Sequence, residues 1–241
     1  MTRRTQGLVL AFLGALLTRL SLTGEYERFV TTWMRWPLLV TGIGLVVLAL
    51  PAALGVGGEN GDHSDHGDHA HPGEEDDHGH RAPRSAWLLL LPGLVAFVVS
   101  PPALGAYLAE RRASDAPPPA PTTVFAALPD DVTSDLALEE FLWRAQTDEG
   151  ATLAGRDVRL TGFVSTDPDG NWYVTRLVIA CCAADARPVR VRVGEADAPP
   201  RNTWVAVTGT WEKGTGTTRT SAAVLDAGEV TPIDPPEQVY E

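Results

Sequence analysis

The chain has 241 residues, 44% of them hydrophobic, which allows one soluble domain beside a small membrane part. A formal net charge of −12 excludes a surface that tracks a nucleic-acid backbone, since that needs an excess of Lys and Arg. The two cysteines, Cys181 and Cys182, are adjacent, which excludes a disulfide framework and leaves the redox compartment unread.

Three apolar stretches define a membrane region over residues 1–110. Residues 5–22 carry one charge, Arg19, while residues 36–56 and 86–109 carry none. A helix of about 20 apolar residues crosses about 30 Å of hydrocarbon, so three transmembrane helices are predicted. Arg19 lies within a turn of the end of its stretch, where its side chain can snorkel to the headgroups. Arg3 and Arg4 stand where a signal peptide has its charges, but no small-x-small cleavage pattern follows, so this stretch reads as a retained anchor. Tyr26, Phe29, Trp33 and Trp36 precede the second stretch, and Trp87 and Tyr107 bracket the third, as interfacial aromatics do. Pro92, Pro101 and Pro102 kink the third stretch or end it early, near Ser100. Arg3, Arg4, Arg81 and Arg84 on one side balance Arg28, Arg35, Arg111 and Arg112 on the other. The leading pair favours an inside N-terminus, hence a multi-pass cell-membrane protein with an extracytoplasmic C-terminal domain.

Between the second and third stretches lies a His/Asp-rich loop, residues 57–85. All six histidines fall within it: His63, His66, His69, His71, His78 and His80. Asp62, Asp65 and Asp68 interleave with the first three, and residues 57–80 hold eight carboxylates and no Lys or Arg. Neutral imidazole is the commonest metal ligand, and carboxylates complete coordination shells. Gly67, Pro72, Gly73 and Gly79 argue against a stable helix, so the expectation is a flexible loop that organises around metal. Redox-inert Zn²⁺ suits this donor set best, with Ni²⁺ and Cu²⁺ also able to bind. The plain alternative is a solvated acidic loop, although Asp and Glu alone would serve solubility.

Residues 111–122 form a proline-rich linker, and residues 123–241 a soluble domain. Ser134 is placed to cap a short helix, Asp135 to Thr147, with Leu136, Leu138, Phe141, Leu142 and Trp143 on its apolar side. Five strands are predicted after it: residues 156–164, 171–180, 189–193, 202–211 and 222–231. Asp167-Pro168-Asp169-Gly170 is the turn between the first two. The fold class is thus a helical membrane part joined to an all-β, OB-like barrel with one short helix. Trp172, Tyr173, Trp204 and Trp211 read as its core or rim aromatics.

Cys181-Cys182-Ala183-Ala184-Asp185 follows the second strand. Adjacent strand residues face opposite ways, so two thiolates on one metal require a bend there, which the small residues permit. Thiolates with Asp185 could make a zinc or soft-metal site. A reactive thiol near Arg187, a vicinal disulfide, or one buried cysteine beside an exposed one stay open as alternatives. The sequence has no Gly-rich nucleotide loop, Ser-His-Asp arrangement or metalloprotease motif, and no histidine outside the acidic loop, so no enzymatic activity is expected.

Apolar spans, a His/Asp loop, another span, a proline spacer and a β domain carrying Arg176-Leu-Val-Ile-Ala-Cys-Cys-Ala-Ala-Asp185 and then Val189-Arg-Val-Arg-Val193 follow in that order. This arrangement resembles the YcgQ-like family of bacterial membrane proteins, over essentially the full chain. The resemblance implies the small subunit of a permease whose partner is a larger multi-span protein. Together with the donor residues, it points to handling of a divalent metal, zinc first. A membrane-tethered thiol or redox module, or a structural scaffold of a transport complex, are the other readings.

Overall fold

The computed structural model describes residues 3–54, 91, 94–95, 104–114, 119–121 and 124–241. The chain divides into two units, one of Met1–Tyr26 with Thr32–Pro101 and one of Glu27–Thr31 with Pro102–Glu241. The His/Asp loop and the third apolar stretch as far as residue 103 lie outside the described residues, apart from Leu91, Leu94 and Val95.

In the first unit, α1 spans Arg3–Thr23 and α2 spans Arg35–Leu54. Both are long and apolar enough to cross a membrane, a property they share with signal sequences and core helices. Their backbones meet at glycines. A Cβ on Gly14 would come within 2.6 Å of the Gly42 carbonyl oxygen, and one on Gly42 within 2.6 Å of Thr18 Oγ1. Small residues at such a crossing let two helices pack without side-chain clash. Thr18 and Ser21 return their hydroxyls to carbonyls one turn back, Gly14 and Leu17, both at 2.8 Å. Arg19 pairs with Glu25 at 3.8 Å. The outer side of α2 exposes Trp36, Val40, Ile43, Val47 and Leu50 at alternating spacings of four and three. An apolar stripe of this kind is compatible with insertion in a membrane.

The second unit is built on a mixed six-stranded sheet. Its strands are β1 (Ser134–Leu136), β2 (Asp157–Thr166), β3 (Trp172–Val178), β4 (Arg187–Gly194), β5 (Trp204–Trp211) and β6 (Val224–Pro232). The order is β1-β2-β3-β4-β6-β5, with β5 also paired to β2. Two pairings are parallel, β1 with β2 and β4 with β6; the others are antiparallel. β2 can serve three neighbours because it is long. Val158–Leu160 pairs with β1, Phe163–Thr166 with β3, and Asp157–Phe163 with β5. Gly162 permits this crowding, since a Cβ there would lie 2.5 Å from the Thr175 carbonyl oxygen. The Asp167–Gly170 turn forms as predicted. Gly170 takes φ +86°, and Asp167 Oδ1 accepts the N–H groups of Asp169 and Asn171 at 3.0 and 2.9 Å.

The main core joins Val158, Leu160, Val189, Val191, Val205, Val207 and Leu225 of the sheet to Leu138, Phe141 and Leu142 of the helix α4, Leu138–Gln146. Burying each such side chain contributes about 1.5–3 kcal/mol. Trp172, Tyr173 and Trp211 are buried, and Trp204 packs edge-on to Phe163 with ring centroids 5.7 Å apart. A second cluster lies beneath the β3–β4 connection and contains Ala106, Ala109, Phe163, Leu177, Ile179, Ala186 and Tyr240.

Two expectations need correction. The helix does not start at Asp135 with Ser134 as its cap, because Ser134–Leu136 is a strand and α4 begins at Leu138. Parallel pairing with β2 outweighs the local capping signal, and the freed helix N–H groups find another acceptor. Glu241 accepts from Leu138 and Glu139 at 3.0 and 3.2 Å. The end of the third apolar stretch also differs from the reading that carried it to Ala109. Ala106–Arg111 forms a short helix, α3, with Ala106 and Ala109 buried in the second cluster of the β unit.

Candidate functional site

β3 ends at Val178 and β4 starts at Arg187, so Ile179–Ala186 connects them. Ile179 and Ala186 are buried and anchor the two ends, while Cys181 is exposed and Cys182 and Asp185 are half-buried. Ala183–Asp185 forms one 3-10 turn, with Cys182 extended just before it. This is the bend that the adjacent cysteines required, and it brings the ligating atoms of Cys181, Cys182 and Asp185 within 4.8 Å of one another. The two Sγ atoms are 3.7 Å apart and the thiols are free.

Asp185 organises the turn. Its Oδ1 accepts the Ala180 N–H at 2.8 Å, and its Oδ2 accepts those of Cys181 and Cys182 at 2.9 and 3.2 Å. The Cys181 thiol donates to the same Oδ2 at 2.9 Å. That thiol donation, with the three backbone donors, holds the Asp185 carboxyl down at about 2. The same bond, with the neighbouring Cys182 sulfur, pushes the Cys181 thiol up to about 12. Asp185 is therefore ionised at neutral pH, and Cys181 keeps its proton until something replaces it.

Three other segments of the same unit pin the turn from outside. Val30 bridges Cys182 in antiparallel fashion, Ala183 N–H donates to the Phe29 carbonyl at 2.6 Å, and Thr31 N–H to that of Cys181 at 3.3 Å. Arg112, just after α3, donates from Nη1 to the carbonyls of Ala184 and Ala186 at 3.3 and 2.6 Å, and from Nη2 to Ala184 at 3.2 Å. Tyr240 bridges Leu177, donates its hydroxyl to the Arg28 carbonyl at 2.8 Å and accepts the Leu104 N–H at 3.1 Å. Sequence reasoning counted Arg112 only as a topological charge and missed Tyr240. Arg112 is 72 residues from Ala184, and no local pattern links them.

Of the residues predicted to bind metal, the structure brings Cys181, Cys182 and Asp185 together. His63, His66, His69, His71, His78, His80, Asp62, Asp65 and Asp68 lie outside the described residues.

Residues 5–114 match the DUF1980 N-terminal domain, and residues 145–241, which include the cysteine turn, match the DUF1980 C-terminal domain. No curated protein and no solved structure matches the chain. With both domains present in order over most of its length, the chain belongs to the DUF1980 family.

Proposed function

We propose that this protein is the small subunit of a membrane permease of the YcgQ-like kind, handling a divalent metal, zinc first, with Cys181, Cys182 and Asp185 as its binding point. One observation carries the reading. The two sulfurs are 3.7 Å apart beside an ionised carboxylate, and two thiolates each about 2.3 Å from a tetrahedral zinc lie about 3.8 Å apart. The turn therefore needs little rearrangement to present two soft donors and one hard one. A fourth position stays open for cargo exchange, and the His/Asp loop would collect the ion.

The pairing circuit β2-β3-β4-β6-β5-β2 supports an OB-like barrel for the β domain. The place of Glu27–Thr31 in the β unit supports three spans. That segment lies between α1 and α2, and a chain that leaves through α2 returns to the same side by Leu104 only after a further crossing. The rival reading, a reactive or redox thiol, is disfavoured by the raised Cys181 thiol, because attack requires thiolate.

The test is zinc titration of the full-length protein in detergent against a competing chelator dye, with the six loop histidines replaced by serine. Cys182→Ser and Asp185→Asn should each weaken the remaining site by about 100-fold or more, beyond the 10–100-fold cost of losing an outer-shell partner. Equal zinc affinity in the parent and both variants would falsify the proposal. Recovery of a larger membrane protein with the tagged chain from its native membranes tests the permease assignment, and a chain that elutes alone refutes it.

A further inference from the structure

One cavity in the β unit carries charge opposite to that of the whole chain. It has a volume of about 190 Å³, and its lining includes Tyr173, Arg190, Thr218, Arg219, Thr220 and Ser221. Two arginines and no carboxylate line it, in a protein whose formal net charge is −12.

Arg190 is firmly held. Its guanidinium stacks on the Tyr173 ring, 4.5 Å from the centroid, and its Nη2 donates to the Ala113 carbonyl at 3.3 Å. Tyr173 is fixed in turn, donating its hydroxyl to Asp167 at 2.8 Å. Arg190 Nη1 has no such outlet. It is buried, with no hydrogen-bond partner among the described residues. A buried cationic donor without an acceptor pays its desolvation cost with nothing in return, and few positions keep one unless an acceptor arrives. The exposed Thr218–Ser221 turn edges the cavity and is closed by its own hydroxyls, with Ser221 Oγ accepting the Thr218 N–H at 3.1 Å and Thr218 Oγ1 accepting the Ser221 N–H at 3.2 Å. A preformed donor-rich rim over an orphaned guanidinium matches the fork geometry that binds planar or tetrahedral oxyanions.

The geometry points to a binding site for a small molecule bearing a carboxylate or phosphate group, seated on Arg190 Nη1 with Arg219 at the rim. The site shares none of its lining residues with the cysteine turn, and so does not depend on the metal reading.

Equilibrium dialysis of the full-length protein in detergent against radiolabelled inorganic phosphate, and separately acetate, tests it. Ionic strength is held constant with chloride so that general screening does not change. Saturable binding of at least one anion is expected, weakened about tenfold or more in Arg190→Gln, as for loss of a charge-assisted hydrogen bond. Should Arg190→Gln fail to fold, Arg219→Gln on the exposed turn takes its place, with a loss of about threefold or more expected for a rim charge. No saturable uptake of either anion up to about 10 mM, which is weaker than about −3 kcal/mol, overturns the site. Unchanged uptake in the folded variant overturns it equally. A Cys181→Ser/Cys182→Ser protein should bind the anion as the parent does, so failure here and failure of the zinc titration are separate outcomes.

Discussion

Asp185 is the residue on which the cysteine turn depends, and two measurable consequences follow from its bonds. Zinc that takes Cys181 as thiolate must displace a proton held up to about 12. Each unit of acidification should then cost about tenfold in apparent affinity per proton displaced, and affinity should keep rising from about pH 6 to 9 without levelling near the ordinary thiol value of about 8.5. A plateau below pH 8 in the dye competition would show that Cys181 does not ligate as thiolate. Removing the carboxylate acts on the same thiol in the opposite sense. In Asp185→Asn the largest cause of the upward shift is gone, so metal-free Cys181 should alkylate with iodoacetamide at pH 8 at least about tenfold faster, the rate following the thiolate fraction. At this scale the sequence was partly legible. Two adjacent cysteines with an aspartate three positions on, among alanines, announce a turn with donors. The clamp from Arg112 and the pairing with Phe29–Thr31 were not legible, because both arise from tertiary contact across long separations.

At the scale of elements, the start of α4 shows what local signals miss. Ser134 looks like an N-cap, but helix α4 takes its cap from Glu241, over 100 residues away. Glu241 is also 3.9 Å from the buried Arg176, and its N–H donates to the Leu177 carbonyl at 3.0 Å. Glu241→Ala should therefore cost about 1–2 kcal/mol, in the range of a lost helix cap, whereas Ser134→Ala should cost far less. Chemical denaturation of the two variants checks this, and equal losses would count against the distant cap. Gly162→Ala should be worse than either, because its Cβ meets backbone rather than a side chain that can swing away. A loss of about 1–3 kcal/mol is expected, as for overpacked sites. The five long strands, by contrast, were legible from alternation and turn chemistry to within three residues at either end. β1 was not, since three residues carry too short a period to read and owe their state to β2.

For the whole molecule, the informative segment is the short one between α1 and α2. Because Glu27–Thr31 belongs to the β unit, the α1–α2 connection and the C-terminal domain share one side of the bilayer in the proposed topology. A single cysteine at the exposed hairpin position Asp169, in a Cys181→Ser/Cys182→Ser background, should react with an impermeant maleimide on intact spheroplasts. One placed at Arg3 should react only in inverted vesicles. Labelling of both from the same face would refute an odd number of spans. Hydropathy made the first two helices legible, and the β unit's claim on Ala106 and Ala109 was hidden because alanine suits a lipid span and a tight soluble interface equally well.

The circuit of pairings has one more consequence. Each strand from β2 to β6 has strand neighbours on both sides, so a passing chain meets few unclaimed amides there to extend as a fibril. The free border belongs to β1, only three residues long and bearing the exposed Asp135, the kind of short, charged margin that discourages accretion. A concentrated sample held below its melting temperature should thus stay dark to thioflavin T, and early fluorescence would mean that the ring opens more readily than its partnerships suggest.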